Sequence, residues 1–199
     1  MRCDLCTEKP CSEGNGCTVC DAAALYADET DRRMMRAASE VEAEYYGSYN
    51  RLQEVIAFAK KMGYKKIGLS FCRALSGEAA KIAKVLENYF EIASVNCKVG
   101  GVPKSEMGAM ESERVGCISC NPIEQAEILN AEKSDLNLII GLCVGHDSLF
   151  IKYSKAPVVP FAVKDRALAH NPLGVVYCSS IYAGMMKEAK KENEASDSK

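Results

Sequence analysis

From about Ala22 to Met62, apolar residues recur at spacings of three and four. Leu25, Met34, Ala38, Val41, Tyr45, Tyr49, Leu52, Val55, Ile56 and Ala59 make a stripe of the kind one helix face buries. Gly47 interrupts it and marks a bend or a division into two helices. Tyr45, Tyr46 and Tyr49 read as core packing with hydroxyls at the rim. Beyond this stripe the periodicity alternates. Lys66–Cys72, Glu91–Val99, Leu136–Cys143 and Val158–Val163 are short apolar runs with strand character. Between them, Ser76–Tyr89, Pro122–Glu132 and Gly145–Tyr153 read as helices. Pro172–Lys190 closes the series as a last helix, with Leu173, Val176, Tyr177, Ile181, Gly184 and Met185 on its inner face.

Strands alternating with helices predict an α/β fold: a mostly parallel sheet of about four strands flanked by helices. Ahead of it lies a small N-terminal cysteine-rich segment with only Leu5 and Val19 to seed a core. The expected organisation is a metal-binding segment at 1–21, a helical lead-in plus α/β domain at 22–190, and a charged, disordered tail at 191–199.

Composition narrows the function. The chain has 199 residues, 48% hydrophobic and 26% charged, with a net charge of −2. That balance suits a folded domain and supplies no basic field for nucleic acid. No apolar run approaches a membrane span, and the start lacks a secretory apolar core, so a cytoplasmic protein is expected. Eleven cysteines against two histidines, in a thiol-reducing compartment, point to soft-metal ligation rather than disulfides.

Topology gathers four of these cysteines. Ligands of an open parallel sheet collect outside the carboxyl ends of its strands. Cys72, Cys97 and Cys143 fall at the ends of the first, second and third predicted strands. Cys120 precedes Asn121-Pro122, a helix start on the same side. These four are the candidate cofactor ligands, and nearby helix N-termini favour their thiolate forms. The leader reads C-x2-C-x4-C-x5-C-x2-C. Cys3, Cys6, Cys17 and Cys20 would make a zinc knuckle, whereas Cys3, Cys6, Cys11 and Cys17 come closer to iron–sulfur spacing. Cys117, in C-x2-C with Cys120, is an extra ligand, a redox partner or a bystander. Cys178 reads as core.

Polar candidates lie on the same edge. His146 and Asp147 follow Cys143. Lys164, Asp165, Arg166 and His170 follow the fourth strand, before a second Asn-Pro at Asn171-Pro172. His146, Lys164, Asp165 and Arg166 are the candidates for binding substrate or moving protons. Dinucleotide, nucleoside-triphosphate and serine-hydrolase loops are absent from the sequence.

The strings C-x2-C-x4-C, YNRLQEVIAFAKKMGYKKIGLSFC, NCKVGGVPKSE, CNPIEQAEILN, LNLIIGLCVGHDSLFIKYSKAPVVPFAVKDR and HNPL carry a family resemblance over nearly the whole chain. With them the chain resembles an uncharacterised cysteine-rich family of bacterial and archaeal proteins, common in anaerobes. That family is defined by a domain of unknown function and described as metal-binding. The resemblance implies that Cys3, Cys6, Cys11, Cys72, Cys97, Cys120, Cys143 and His146 occupy its motif positions. The family's next N-terminal feature is a Cys-Pro; here Cys17 precedes Thr18 and Cys20 precedes Asp21, which leaves the fourth N-terminal ligand open.

The expected function is a metal-binding protein with cysteine-ligated iron–sulfur or Zn(II) sites, serving electron transfer or redox sensing with a redox partner protein. One alternative is an iron–sulfur or thiolate-dependent enzyme acting on a small anionic substrate at the sheet edge. Another is a zinc-stapled interaction module that binds through the Met34–Ala59 stripe.

Overall fold

The computed structural model describes residues 1–18 and 21–196. It divides into two compact units, Met1–Tyr46 and Gly47–Lys199.

The first unit opens with three 3-10 turns, Cys3–Leu5, Pro10–Glu13 and Ala23–Tyr26, none of which buries a residue. Helix α1 (Glu29–Tyr45) follows, capped by Asp28, whose carboxylate accepts from Thr30 N–H and Asp31 N–H. It buries Ala37 and Val41. The chain breaks where expected, with Gly47 at φ +70°. Tyr46 departs from the core-packing expectation and stands exposed, because it falls just past the last turn of α1.

In the second unit, α2 (Arg51–Met62) starts on a capping box between Asn50 and Gln53 and stops at left-handed Gly63. Strands β1 (Lys66–Phe71), β2 (Glu91–Asn96), β3 (Leu136–Ile140) and β4 (Val158–Ala162) form one sheet of order β2-β1-β3-β4, every pairing parallel. Helices α3 (Ser76–Leu86), α4 (Pro122–Ala131) and α5 (His146–Tyr153) connect them.

Right-handed crossovers fix which face each helix covers. Passing from β1 to β2 runs one way along the sheet, while β2 to β3 and β3 to β4 run the other. Accordingly α3 joins α2 on one face, over Ile67, Leu69, Leu136, Leu138 and Ile140. On the other face, Ala126 and Leu129 of α4 and Phe150 of α5 cover Val95 and Ile139. The reversal of direction lies between β1 and β3, the switch point where ligand crevices open in such sheets.

Among the described residues, the sheet centre carries two fully buried polar residues, Ser70 of β1, whose hydroxyl has no partner, and Asn137 of β3. Asn137 is fully buried, accepting from Ser134 Oγ at 2.7 Å and donating to Ser154 Oγ at 2.8 Å. Its carboxamide fills the space where Gly68 lacks a side chain; a Cβ there would lie 1.9 Å from Asn137 Oδ1.

The C-terminus differs from expectation. The single helix over 172–190 is two, α6 (Gly174–Tyr177) and α7 (Ser179–Ser196), separated by extended Cys178 (φ −95°, ψ 101°). Asn171-Pro172 forms a turn and the helix begins at Gly174. The stretch read as a tail from 191 is helical to Ser196. Leu173, Val176, Tyr177, Ile181 and Met185, read as an inner face, are exposed, as is Cys178. Both sheet faces are already covered by α2 to α5, so this apolar stripe finds no place in the core. Among the described residues, no helix is long and apolar enough to cross a membrane.

Candidate metal centre

Strand register delivers the thiols. Phe71 of β1 is level with Asn96 of β2 and with Ile140 of β3. Cys72 and Cys97 therefore sit one residue past adjacent, level strand ends, and Cys143 lies three past its own. All three of these strands end short of their cysteines, leaving the thiols in the connecting segments. Cys72 N–H donates to Ile140 C=O, and Cys72 opens the 3-10 turn Arg73–Leu75 that leads into α3. Gly141 takes φ +64° to turn the chain after β3, and Cys143 C=O accepts from His146 N–H and Asp147 N–H to open α5.

Cys120 arrives from a different direction. Ser119 N–H bonds Val102 C=O, Lys104 N–H bonds Cys117 C=O, and Pro103 bridges Ile118 in antiparallel fashion. This clamp holds Cys117–Cys120 over the strand ends. Asn121 then caps α4 through Glu124 N–H, with Pro122 in the first turn, and Asn121 N–H bonds Cys97 C=O at 2.9 Å.

The result is a series of sulfurs centred on Cys97. Cys97 is 3% exposed, its sulfur accepts from Arg73 N–H at 3.3 Å, and the thiols of Cys120 and Cys72 on either side both bear on its protonation. Hydrogen bonding with Cys97 brings the half-buried Cys120 thiol down to about 6, with the charge of Lys98 adding to it against burial. At the other end, bonding with Cys97 and burial push Cys72 up to about 12, although Lys164 bonds its sulfur and opposes the rise. Cys97 itself is raised, chiefly by Cys120. One thiolate at Cys120, supported by the Cys97 S–H, is the arrangement this edge favours first. Cys143 stands apart from the series. Its sulfur accepts from Arg166 Nη2 at 3.1 Å, and its charge reaches Cys120.

The polar candidates separate into two groups. His146 is half-buried, and burial, together with Lys98 and Arg166, lowers its pKa against the pull of Asp147. Its imidazole is neutral near pH 7. Lys164 and Arg166 reach thiols. Asp165 turns inward on its own loop, where Oδ1 accepts from Ala167 N–H and Leu168 N–H, and its N–H donates to His170 Nδ1. Asp165 and His170 therefore hold the loop that presents Arg166, and Asp147 caps its own turn through Gly145 N–H and Ser148 N–H.

Two residues escaped the sequence reading. Lys98, adjacent to Cys97, bonds Ile118 C=O through Nζ and places its charge by Cys120. Fully buried Gln125 donates through Nε2 to Val95 C=O and Phe71 C=O, tying the ends of β1 and β2, while its Oε1 has no partner. A glutamine three residues past Pro122 in a helix covering an apolar sheet was the available signal.

Cys3, Cys6, Cys11 and Cys17 are exposed; Cys20 lies outside the described residues. Lys9, at φ +47°, donates its N–H to Cys6 Sγ at 3.4 Å. Among the described residues, no three His, Cys, Asp or Glu side chains stand arranged to hold a metal ion.

A relative from Methanocaldococcus jannaschii, itself described as uncharacterized, is 43% identical over 198 residues, covering 96% of this chain and all of its own length. No solved structure matches. The family model described as a protein of unknown function, DUF1847, matches residues 11–161, and the chain belongs to that family.

Proposed function

We propose that this chain is a cytoplasmic metal-binding protein whose sheet-edge cysteines hold an iron–sulfur cluster or zinc, in the service of electron transfer or redox sensing. The observation that carries the reading is the delivery of Cys72, Cys97, Cys120 and Cys143 to one edge from four separate segments.

The donor set suits such a group: soft sulfurs, with Arg73 N–H, Lys164 and Arg166 directed at three of them. Four thiolates around a divalent ion leave two negative charges, which the neighbouring cations offset. Closing the sulfurs on one centre requires side-chain rotation, since among the described residues no three of them stand arranged around a point. A bound cluster supplies one-electron transfer, whereas bound zinc supplies only a cross-link. The chain's own residues fix the strand ends, hold the Cys120 loop and present cationic donors to sulfur. In the leader, Cys3, Cys6, Cys11, Cys17 and Cys20 are the proposed second site, with the Lys9-to-Cys6 turn in its favour.

The test is anaerobic purification of the full chain with metal analysis and a visible spectrum. Stoichiometric iron with broad visible absorbance supports a cluster; a colourless protein with zinc supports the structural version. Serine at Cys72, Cys97, Cys120 or Cys143 should lower metal content, and serine at exposed Cys178 should not. A protein without metal, or one that keeps its full complement through all four substitutions, would end the proposal for this edge.

A further inference from the structure

Cys97 is nearly closed to solvent, yet the peptide N–H following Cys120 bonds its carbonyl at 2.9 Å and the peptide N–H following Cys72 bonds its sulfur at 3.3 Å. Cys97 is buried, Cys120 and Cys72 on either side of it are half-buried, and Cys117, three residues before Cys120, is exposed. A molecule approaching the edge therefore meets Cys120 before Cys97. Thiol–disulfide exchange uses this layout, with an accessible sulfur to attack and an adjacent shielded one to resolve.

The surroundings are cationic. Lys98 Nζ sits on the carbonyl of Ile118, between Cys117 and Cys120, while Arg166 lies on Cys143 and Lys164 on Cys72. The carboxylate of Glu124 is engaged by Asn121 Nδ2 at 2.6 Å.

We propose that Cys120 and Cys97 form a dithiol–disulfide couple that reduces small anionic disulfides at this edge. Cys120, having given its proton to solvent, bonds one substrate sulfur; the substrate S–S bond breaks, and the first thiolate leaves and is protonated. Cys97 then attacks Cys120 sulfur, the mixed disulfide breaks, and the second thiol departs with the proton from Cys97. Two electrons pass to the substrate, which becomes two thiols, and the chain gains a Cys97–Cys120 bond. Excess small thiol reverses the exchange. The couple goes beyond the metal reading and does not depend on it, since sulfurs held by metal are unavailable for exchange.

The full chain, reduced and stripped of metal under anaerobic conditions, is mixed with glutathione disulfide and mapped by non-reducing peptide mass spectrometry. The expected product is a Cys97–Cys120 link with both glutathione halves released. Cys97→Ser should stop at a mixed disulfide on Cys120, and Cys120→Ser should leave Cys97 reduced. Cystamine, a cationic disulfide, should react about tenfold more slowly at low salt, with the gap closing as salt rises. Finding no link, or links only at Cys117–Cys120 or Cys72–Cys97, overturns the couple. Equal rates for the two disulfides overturn the anionic substrate class. Should Cys97→Ser lose its native circular dichroism, the map of the unsubstituted chain still decides. Metal content is read in the same preparations. A chain that never holds metal yet forms the link defeats only the metal reading, and one that holds metal but forms no link when stripped defeats only the couple.

Discussion

The two groups of cysteines come by their proximity in opposite ways. Cys3, Cys6, Cys11 and Cys17 are neighbours in sequence and exposed, with Cys3 and Cys11 on 3-10 turns that bury nothing. Cys72, Cys97, Cys120 and Cys143 are dispersed over seventy-odd residues and share one edge because three of them follow parallel strand ends and a loop clamp brings in the fourth. On the proposed metal reading, the leader takes its shape from whatever its thiols bind. At the sheet edge, shape exists beforehand, and the fold adjusts the thiols through burial, hydrogen bonds and cations.

Chelation should separate the two most widely. A structural zinc contributes on the order of 10 kcal/mol to the segment that binds it. Stripping metal should therefore expose residues 1–27 fully to protease while the sheet unit keeps its cooperative unfolding. Protection of both regions lost together would dissolve the contrast.

The converse experiment attacks the sheet. Gly68→Ala would put a Cβ 1.9 Å from Asn137 Oδ1 and force a buried carboxamide off two serine hydroxyls. Overpacking and lost hydrogen bonds together should destabilise the unit by about 4 kcal/mol, measured by urea unfolding, with the leader's thiol reactivity unchanged. A smaller loss follows from Gly141→Ala. Its φ of +64° disfavours any side chain, and the new Cβ would meet Leu75 Cδ1 at 2.2 Å, but that contact is the end of a flexible side chain. About 1–3 kcal/mol is expected, together with a changed alkylation rate at Cys143, two residues along. An unaltered rate would mean that Gly141 does not set the position of that thiol.

Legibility followed the same divide. All four strands start where their apolar runs start, because buried parallel strands are continuous and bounded by turn residues. Gathering Cys72, Cys97 and Cys143 on one edge needed only strand polarity, and Asn121-Pro122 is a strong local signal for a helix start. What the sequence concealed depends on side-chain partners. Asp165 pairs with its own loop, Lys98 reaches a carbonyl twenty residues on, and Gln125 joins two strand ends. The stripe on the last helix misled for another reason. Periodicity shows that a helix has an apolar face, but it does not show whether the core has room for it, and α2 to α5 had already covered the sheet.

The finest contrast is within the edge itself. In the metal-stripped chain, hydrogen bonding with Cys97 holds Cys120 at about 6 and drives Cys72 to about 12. Alkylation of Cys120 should rise with pH through about 6 and flatten above about 7, where the thiolate fraction saturates. A simple thiol keeps rising to about 8.5. At pH 6 about half of Cys120 is thiolate, against well under a hundredth of a simple thiol. The weaker intrinsic nucleophilicity of a low-pKa sulfur removes roughly a factor of ten from that advantage, so about tenfold remains at pH 6 and little by pH 8. Cys72 should stay inert across this range. Replacing the S–H donor discriminates the cause. Cys97→Ala should move the Cys120 midpoint upward, whereas Cys97→Ser, whose hydroxyl still donates, should keep it low. If both variants leave the midpoint in place, Lys98 rather than Cys97 sets it, and Lys98→Met should then move it instead.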